Sequence, residues 1–279
     1  MAIRTRRPRN ASLRFQTFLD QSHLTKKRPE KRLVSGASKT GGRNAYGRIT
    51  SRHRGGGARQ KYRIIDFKRL ERDIPGTIVA AEYDPNRNVP IALVQFKNGA
   101  KHYILLPHTL KVGDYVIAGE DVELRTGNCL PLRKIPVGFT VHNIEINPGA
   151  GGVLARGAGA SAQIISKAEE FVTMRLPSGE VRLIHIACWA TIGELGNHDY
   201  KNVTLGKAGR TRHRGHRPSV RGMAMNPVDH PHGGGEGRSK SGSHPMTPWG
   251  KPTKGKRTRL SPNRWVIRPR KSKQKEGSR

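Results

Sequence analysis

A chain of 279 residues with 53 Lys and Arg against 20 Asp and Glu has a formal net charge of +33, and only 34% of it is hydrophobic. Globular domains average about 45–50% apolar residues, so much of this chain does not pack on a core of its own and a polyanionic partner is implied. No apolar run approaches the roughly 20 residues that cross a bilayer, and neither basic end has an amphipathic apolar stripe, which argues against a membrane.

The charge is partitioned. Residues 1–63 hold 18 basic and 2 acidic groups, 64–200 hold 14 and 15, and 201–279 hold 21 and 3. The expected organisation is a nearly neutral core between a basic N-terminal extension (1–63) and a basic, Gly-rich C-terminal extension (201–279). Free chains so charged repel themselves. Along nucleic acid, each neutralised phosphate releases condensed counterions, giving strong and salt-sensitive binding.

In chain order, Met1 to Thr17 is Arg-rich and acid-poor, as a mitochondrial leader would be. The same basic character continues to Arg63, which reads instead as one extension. No secretory apolar region is seen, so Asn10-Ala11-Ser12 and Asn202-Val203-Thr204 are chance sequons. Arg52-His53-Arg54-Gly55-Gly56-Gly57-Ala58-Arg59 alternates guanidinium groups with residues that let the backbone approach phosphate closely.

The middle shows short strands punctuated by turns: Tyr62–Phe67, Thr77–Tyr83, Ile91–Phe96, His102–Leu106, Tyr115–Ala118 and Phe139–Ile146, then Phe171–Leu176, Val181–Ile186 and Ala190–Ile192. Asn98-Gly99 and Pro177-Ser178-Gly179 are hairpin turns. A helical turn or two is expected within Ser161–Glu170. The strands fall into two groups, 64–126 and 127–200, divided by Arg125-Thr126-Gly127-Asn128 and the Pro131 to Pro136 segment. Their sizes suit a five-stranded OB-like barrel followed by an SH3-like barrel, although periodicity by itself names neither. Cys129 and Cys188, far apart and in apolar surroundings, read as core residues of a reduced protein.

Gly157-Ala158-Gly159-Ala160-Ser161-Ala162, with Glu180 beyond it, matches a dinucleotide fingerprint. That function needs a strand before it and a helix after it. Glu180 falls in a hairpin turn among antiparallel strands, so close approach to RNA beside Arg156 is the better reading.

In the C-terminal extension, Gly206 to Gly215 repeats the Gly/Arg pattern. Asp229-His230-Pro231-His232-Gly233-Gly234-Gly235-Glu236-Gly237 gathers imidazoles and carboxylates that suit acid–base or zinc chemistry. No Cys is near and no apolar pocket is apparent, so a tight turn whose rings meet RNA is preferred. Trp249 and Trp265 lie in this basic segment, outside the core, suited to stacking on a base or anchoring on a neighbouring protein.

Several stretches occur in the order of a known family: Arg52 to Gly57, Glu82-Tyr83-Asp84-Pro85-Asn86-Arg87, Pro177 to Arg182, Val220-Arg221-Gly222, Met225 to Gly237 and Thr247-Pro248-Trp249-Gly250. The chain resembles the bacterial-type L2 family of large-subunit ribosomal proteins over nearly its whole length. The resemblance implies a mainly β protein, an OB-like barrel followed by an SH3-like barrel with long basic extended N- and C-terminal arms, located in the cytoplasmic ribosome. It implies large-subunit (23S) rRNA, the small subunit across a bridge, and neighbouring ribosomal proteins as partners, with no membrane and no cofactor or metal. Arg87 and Arg156 match the family's primary rRNA contacts, and Lys68 and Arg69 match a further basic pair. Arg52, Arg54, Arg59, Arg210, Arg212, Arg214, Arg221 and Trp249 are expected to join them along the arms. His230, with Asp229 and His232, matches the motif that approaches the peptidyl-transferase centre; support is implied, and direct catalysis is not expected. A chromatin-like DNA binder is the remaining, remote alternative.

Overall fold

A computed structural model describes residues 3–25, 28–237, 242–254 and 263–270. The chain divides into two compact units, Met1–Ser38 with Arg59–Lys207 and Arg264–Arg279, and Lys39–Ala58 with Ala208–Asn263. The first is mainly β and holds the OB-like and SH3-like barrels.

The OB-like part is an antiparallel sheet in the order Lys101–Leu105, Ile91–Phe96, Gly76–Glu82, Tyr115–Val116. The Ile91–Phe96 strand is buried at five of its six positions. Alternation is lost because both faces are covered. Ile78, Ala92, Val94, Ile104 and Val116 pack on one side, and Ile65, Ala80, Leu93 and Tyr103 on the other. A register shift between Ile78 and Ala80 bends the sheet, and a parallel bridge from Ile65 to Tyr103 carries the preceding segment across it. The antiparallel pairing of Val34–Gly36 with Lys61–Arg63 brings Leu33 against the second face. The expected Asn98-Gly99 turn forms, with Gly99 at φ +82° and Phe96 and Ala100 bonded across it.

The SH3-like part is a seven-stranded antiparallel sheet ordered Val266–Arg268, Val181–His185, Phe171–Arg175, Ala162–Lys167, Thr140–His142, Trp189–Ile192, Cys129–Pro131. Leu130, Leu132, Ile135, Val141, Ile164, Val172, Met174, Ile184 and Cys188 form its core. Cys129 is buried beside it. A parallel bridge between Ala118 and Cys129 and an antiparallel one between Pro107 and Leu195 connect the two barrels.

Three expectations change. Ser161–Glu170 contains no helix; Ala162–Lys167 is a strand, with Ala162 and Ile164 buried while Gln163 and Ile165 face out, a period of two. This agrees with setting the dinucleotide fingerprint aside, because a strand follows the glycines where a helix is required. Phe139–Ile146 is two short strands, Thr140–His142 and Ile144–Glu145, separated by Asn143 at φ +49°. Trp265 is not an aromatic of a free arm. Its carbonyl accepts from the Leu183 amide at 2.8 Å and its ring lies 5.0 Å from Phe171, so Val266–Arg268 becomes the edge strand of the barrel. Cys129–Pro131 also went unread as a strand, since proline removes a ladder donor; it is tolerated at the opposite edge of the sheet.

The second unit is built differently. Among its described residues only His230 is buried, and those residues form no apolar core. The Ala208–His213 helix and isolated bridges between Arg43 and Ile49, Arg54 and His216, and Met246 and Pro252 are held by backbone hydrogen bonds. The Gly55 amide donates to Gly215 and the Ala58 amide to His213. Close backbone approach takes the place of burial, which explains the glycine content of both basic stretches.

Candidate nucleic-acid interface

The expected contacts Arg87 and Arg156, distant in sequence, meet at one aromatic ring. The Arg156 guanidinium lies 4.3 Å from the Phe67 centroid and that of Arg87 5.5 Å from it. Arg87 also stands 5.3 Å from the Tyr62 ring and donates to the Tyr62 hydroxyl at 3.2 Å. Its other anchor is an ion pair with the fully buried carboxylate of Asp84. Asp84 in turn accepts from the Asn86 backbone and side-chain amides, so the Asp84-Pro85-Asn86-Arg87 turn presets the arginine's direction. Burial, and then the charge of Arg87, pull Arg156 below the usual guanidinium range. The Asp84 carboxylate offsets the charge of Arg87, which leaves Arg156 as the cation beside it for an anion to meet, and the planar fork of arginine matches phosphate oxygens.

The neighbouring basic pair is divided. Lys68 is exposed beside Phe67, whereas Arg69 is 5% exposed. Asp66 caps the turn by accepting the amides of Lys68, Arg69 and Leu70, and Arg69 takes φ +56°. This sends its side chain inward to donate to the Gly127 carbonyl at 2.6 Å. It ties the first barrel to the loop that opens the second and presents no guanidinium to solvent. The alternating charge pattern gave no sign of this inward turn.

In the second unit, Gly55, Gly56, Gly57, Ala58, Arg212 and His213 line a cleft of about 260 Å³. A side chain on Gly57 would meet the Gly215 amide at 2.8 Å and the His213 carbonyl at 2.9 Å, and its φ is +84°. Arg52, Arg54, Arg212, Arg214 and Arg221 are exposed and Arg210 is half-buried; Arg59, in the first unit, is exposed as well. Trp249 is exposed, with the Arg52 guanidinium 5.1 Å from its ring.

The motif around His230 is a folded turn. The His230 ring is buried, inclined at 53° to the His232 ring with centroids 4.8 Å apart, and packed on Gly222, where a Cβ would come within 2.5 Å of it. Its Nδ1 accepts the His232 amide at 3.0 Å, which assigns the proton of the neutral ring to Nε2. The Gly233 amide donates to the His230 carbonyl. His232 is used the same way, its Nε2 accepting the Met246 amide at 3.0 Å. Both imidazoles thus spend an acceptor nitrogen on the backbone, whereas a general base needs that lone pair for its substrate. Asp229 is exposed. Among the described residues no three His, Cys, Asp or Glu side chains are grouped to hold a metal, and no helix is long and apolar enough to cross a membrane.

Sequence reasoning missed Phe67, Tyr62 and Asp84. Phe67 and Tyr62 flank basic residues in the chain, but their role depends on loops that meet only in the fold.

Small β barrels, paired guanidinium groups on an aromatic ring and a glycine-rich basic unit define a structural RNA-binding protein. Residues 30–118 match the family model described as Ribosomal Proteins L2, RNA binding N-terminal domain, and residues 125–250 match Ribosomal Proteins L2, C-terminal domain. The chain therefore belongs to the ribosomal protein L2 family. It is an RNA-binding constituent of the large subunit of the cytoplasmic ribosome and not an enzyme.

Proposed function

We propose that this chain is a primary rRNA-binding protein that helps the large subunit assemble, contributes a bridge to the small subunit and supports the peptidyl-transferase centre. The observation that carries the reading is the convergence of Arg87 and Arg156 on Phe67, a rigid pair of forks for the rRNA backbone. Lys68 adds an exposed charge, while Arg69 acts structurally. Arg52, Arg54, Arg59, Arg210, Arg212, Arg214 and Arg221 extend the contact and Trp249 offers a stacking face. The functional division is a basic extension over 1–63, an OB-like RNA-binding domain over 64–126, an SH3-like domain over 127–200 and a basic extension over 201–279.

Arg87→Ala and Arg156→Ala are each expected to weaken binding to a large-subunit rRNA fragment by about 1–3 kcal/mol at fixed salt, the scale of a lost charged hydrogen bond. Unchanged affinity in both variants overturns the assignment. His230 supports the centre by shaping its turn. Purified particles of normal composition carrying His230→Gln should still form peptide bonds, and a loss of 100-fold or more, the size of a general-base defect on the order of 10²–10⁴, would return catalysis to His230. Sedimentation of mixed subunits tests the bridge.

A further inference from the structure

The second unit exposes an aromatic side chain that the charge pattern conceals. Tyr46 is 89% exposed at the tip of a hairpin, between Arg43 and Arg48, which are exposed too. The loop is closed by a bridge between Arg43 and Ile49 and by bonds from the Asn44 amide to Arg48 and from the Gly47 amide to Asn44, both 3.0 Å. Inside it, Asn44 Oδ1 accepts the Tyr46 and Arg48 amides, each at 3.0 Å. The amides of Thr50 and Ser51 return to the Gly42 carbonyl. The ring is therefore held out by an ordered backbone. Leaving it in water gains the fold nothing, since apolar surface is stabilised by burial.

We propose that Tyr46 stacks on an unpaired base of the bound RNA while Arg43 and Arg48 hold the phosphates on either side. The local charge selects this partner: Lys39–Ala58 contains five Lys and Arg and no acid, and neither arginine forms an ion pair among the described residues. Aromatic rings flanked by guanidinium groups are how proteins read splayed, single-stranded segments, because every base offers a π face. A loop already ordered loses little entropy on binding. The inference rests on the chain's RNA binding and adds to it a preference for unpaired bases.

The test uses the full chain and two probes at one salt concentration: a large-subunit rRNA fragment with unpaired loops, and a fully paired RNA duplex of equal length. Tyr46→Ala should weaken binding to the looped probe roughly 5- to 150-fold and leave the duplex unaffected, while Tyr46→Phe retains affinity. The salt dependence should not change with Tyr46→Ala, whereas Arg43→Ala or Arg48→Ala should lower the log–log slope by about 0.7–0.9. Circular dichroism confirms that the exposed-tip variants fold. Equal affinity of Tyr46→Ala and wild type for the looped probe overturns the proposal, as does an equal loss on both probes. Failure of the wild-type chain to bind either RNA would instead overturn the RNA-binding reading beneath it.

Discussion

Replacing Phe67 by leucine keeps an apolar side chain at the junction of the two arginines and removes the ring. The ring faces one guanidinium at 4.3 Å and another at 5.5 Å. A cation–π contact is worth about 0.5–1 kcal/mol at exposed sites and about 2 when desolvated. Arg156 is half-buried and the nearer, so the two together hold the clamp by about 1–3 kcal/mol. Without the ring both guanidinium groups remain charged and Arg87 stays tethered by Asp84 and Tyr62, but Arg156 loses its fixed place beside Arg87, and rRNA affinity should fall roughly 5- to 150-fold. Filter binding of the full chain to an rRNA fragment across a salt series separates orientation from charge. Phe67→Leu should leave the salt slope unchanged because no cation is lost, while Arg156→Ala should lower it by about 0.7–0.9. A double-mutant cycle should show strong coupling between the two sites. Wild-type affinity for Phe67→Leu, alongside a defect in Arg156→Ala, would refute the positioning role.

Two further outcomes concern stability. Burial, with a smaller push from the Arg69 charge, depresses His142 to about 4 from its ordinary 6.5, although its ring nitrogen bonds the Gly193 carbonyl. The unfolded chain then binds the extra proton between these values, so stability is full above about pH 6.5 and is lost as pH falls toward 4, on the order of 3 kcal/mol in all. Urea midpoints measured from pH 7 to 5.5 should fall more steeply for wild type than for His142→Gln; parallel curves would remove His142 as the cause. Gly57→Ala puts a methyl group against the Gly215 and His213 backbone at positive φ and should destabilise the second unit by about 1–3 kcal/mol. Proteolysis of the full chain should then cut that unit first, and wild-type resistance would show that the close approach is dispensable.

Much of the first unit was legible because its signals are local. Asn98-Gly99 specifies a tight turn whatever surrounds it, and Pro177-Ser178-Gly179 between Phe171–Arg175 and Val181–His185 marks a hairpin within a few residues. Where the pattern misled, distant contacts had decided. A helical turn was expected within Ser161–Glu170, but pairing with Thr140–His142 and Phe171–Arg175 made Ala162–Lys167 a strand. Trp265 looked like part of a free arm until Val266–Arg268 found an open sheet edge.

The sequence by itself determined the kind of partner, since charge depends only on composition, and +33 on 279 residues requires a polyanion wherever the side chains point. It also determined the two β-rich segments, through short-range turn and strand preferences. Only the tertiary structure decided how each charge is used. Arg69 and Arg87 are the same residue type in equally basic surroundings, yet one turns inward to Gly127 and the other is held by Asp84 against the Tyr62 and Phe67 rings. Tyr46 and Tyr103 separate likewise, one held in water on a loop tip and the other buried between strands. Side-chain direction follows from φ, cap and neighbouring strand, and those are properties of the fold.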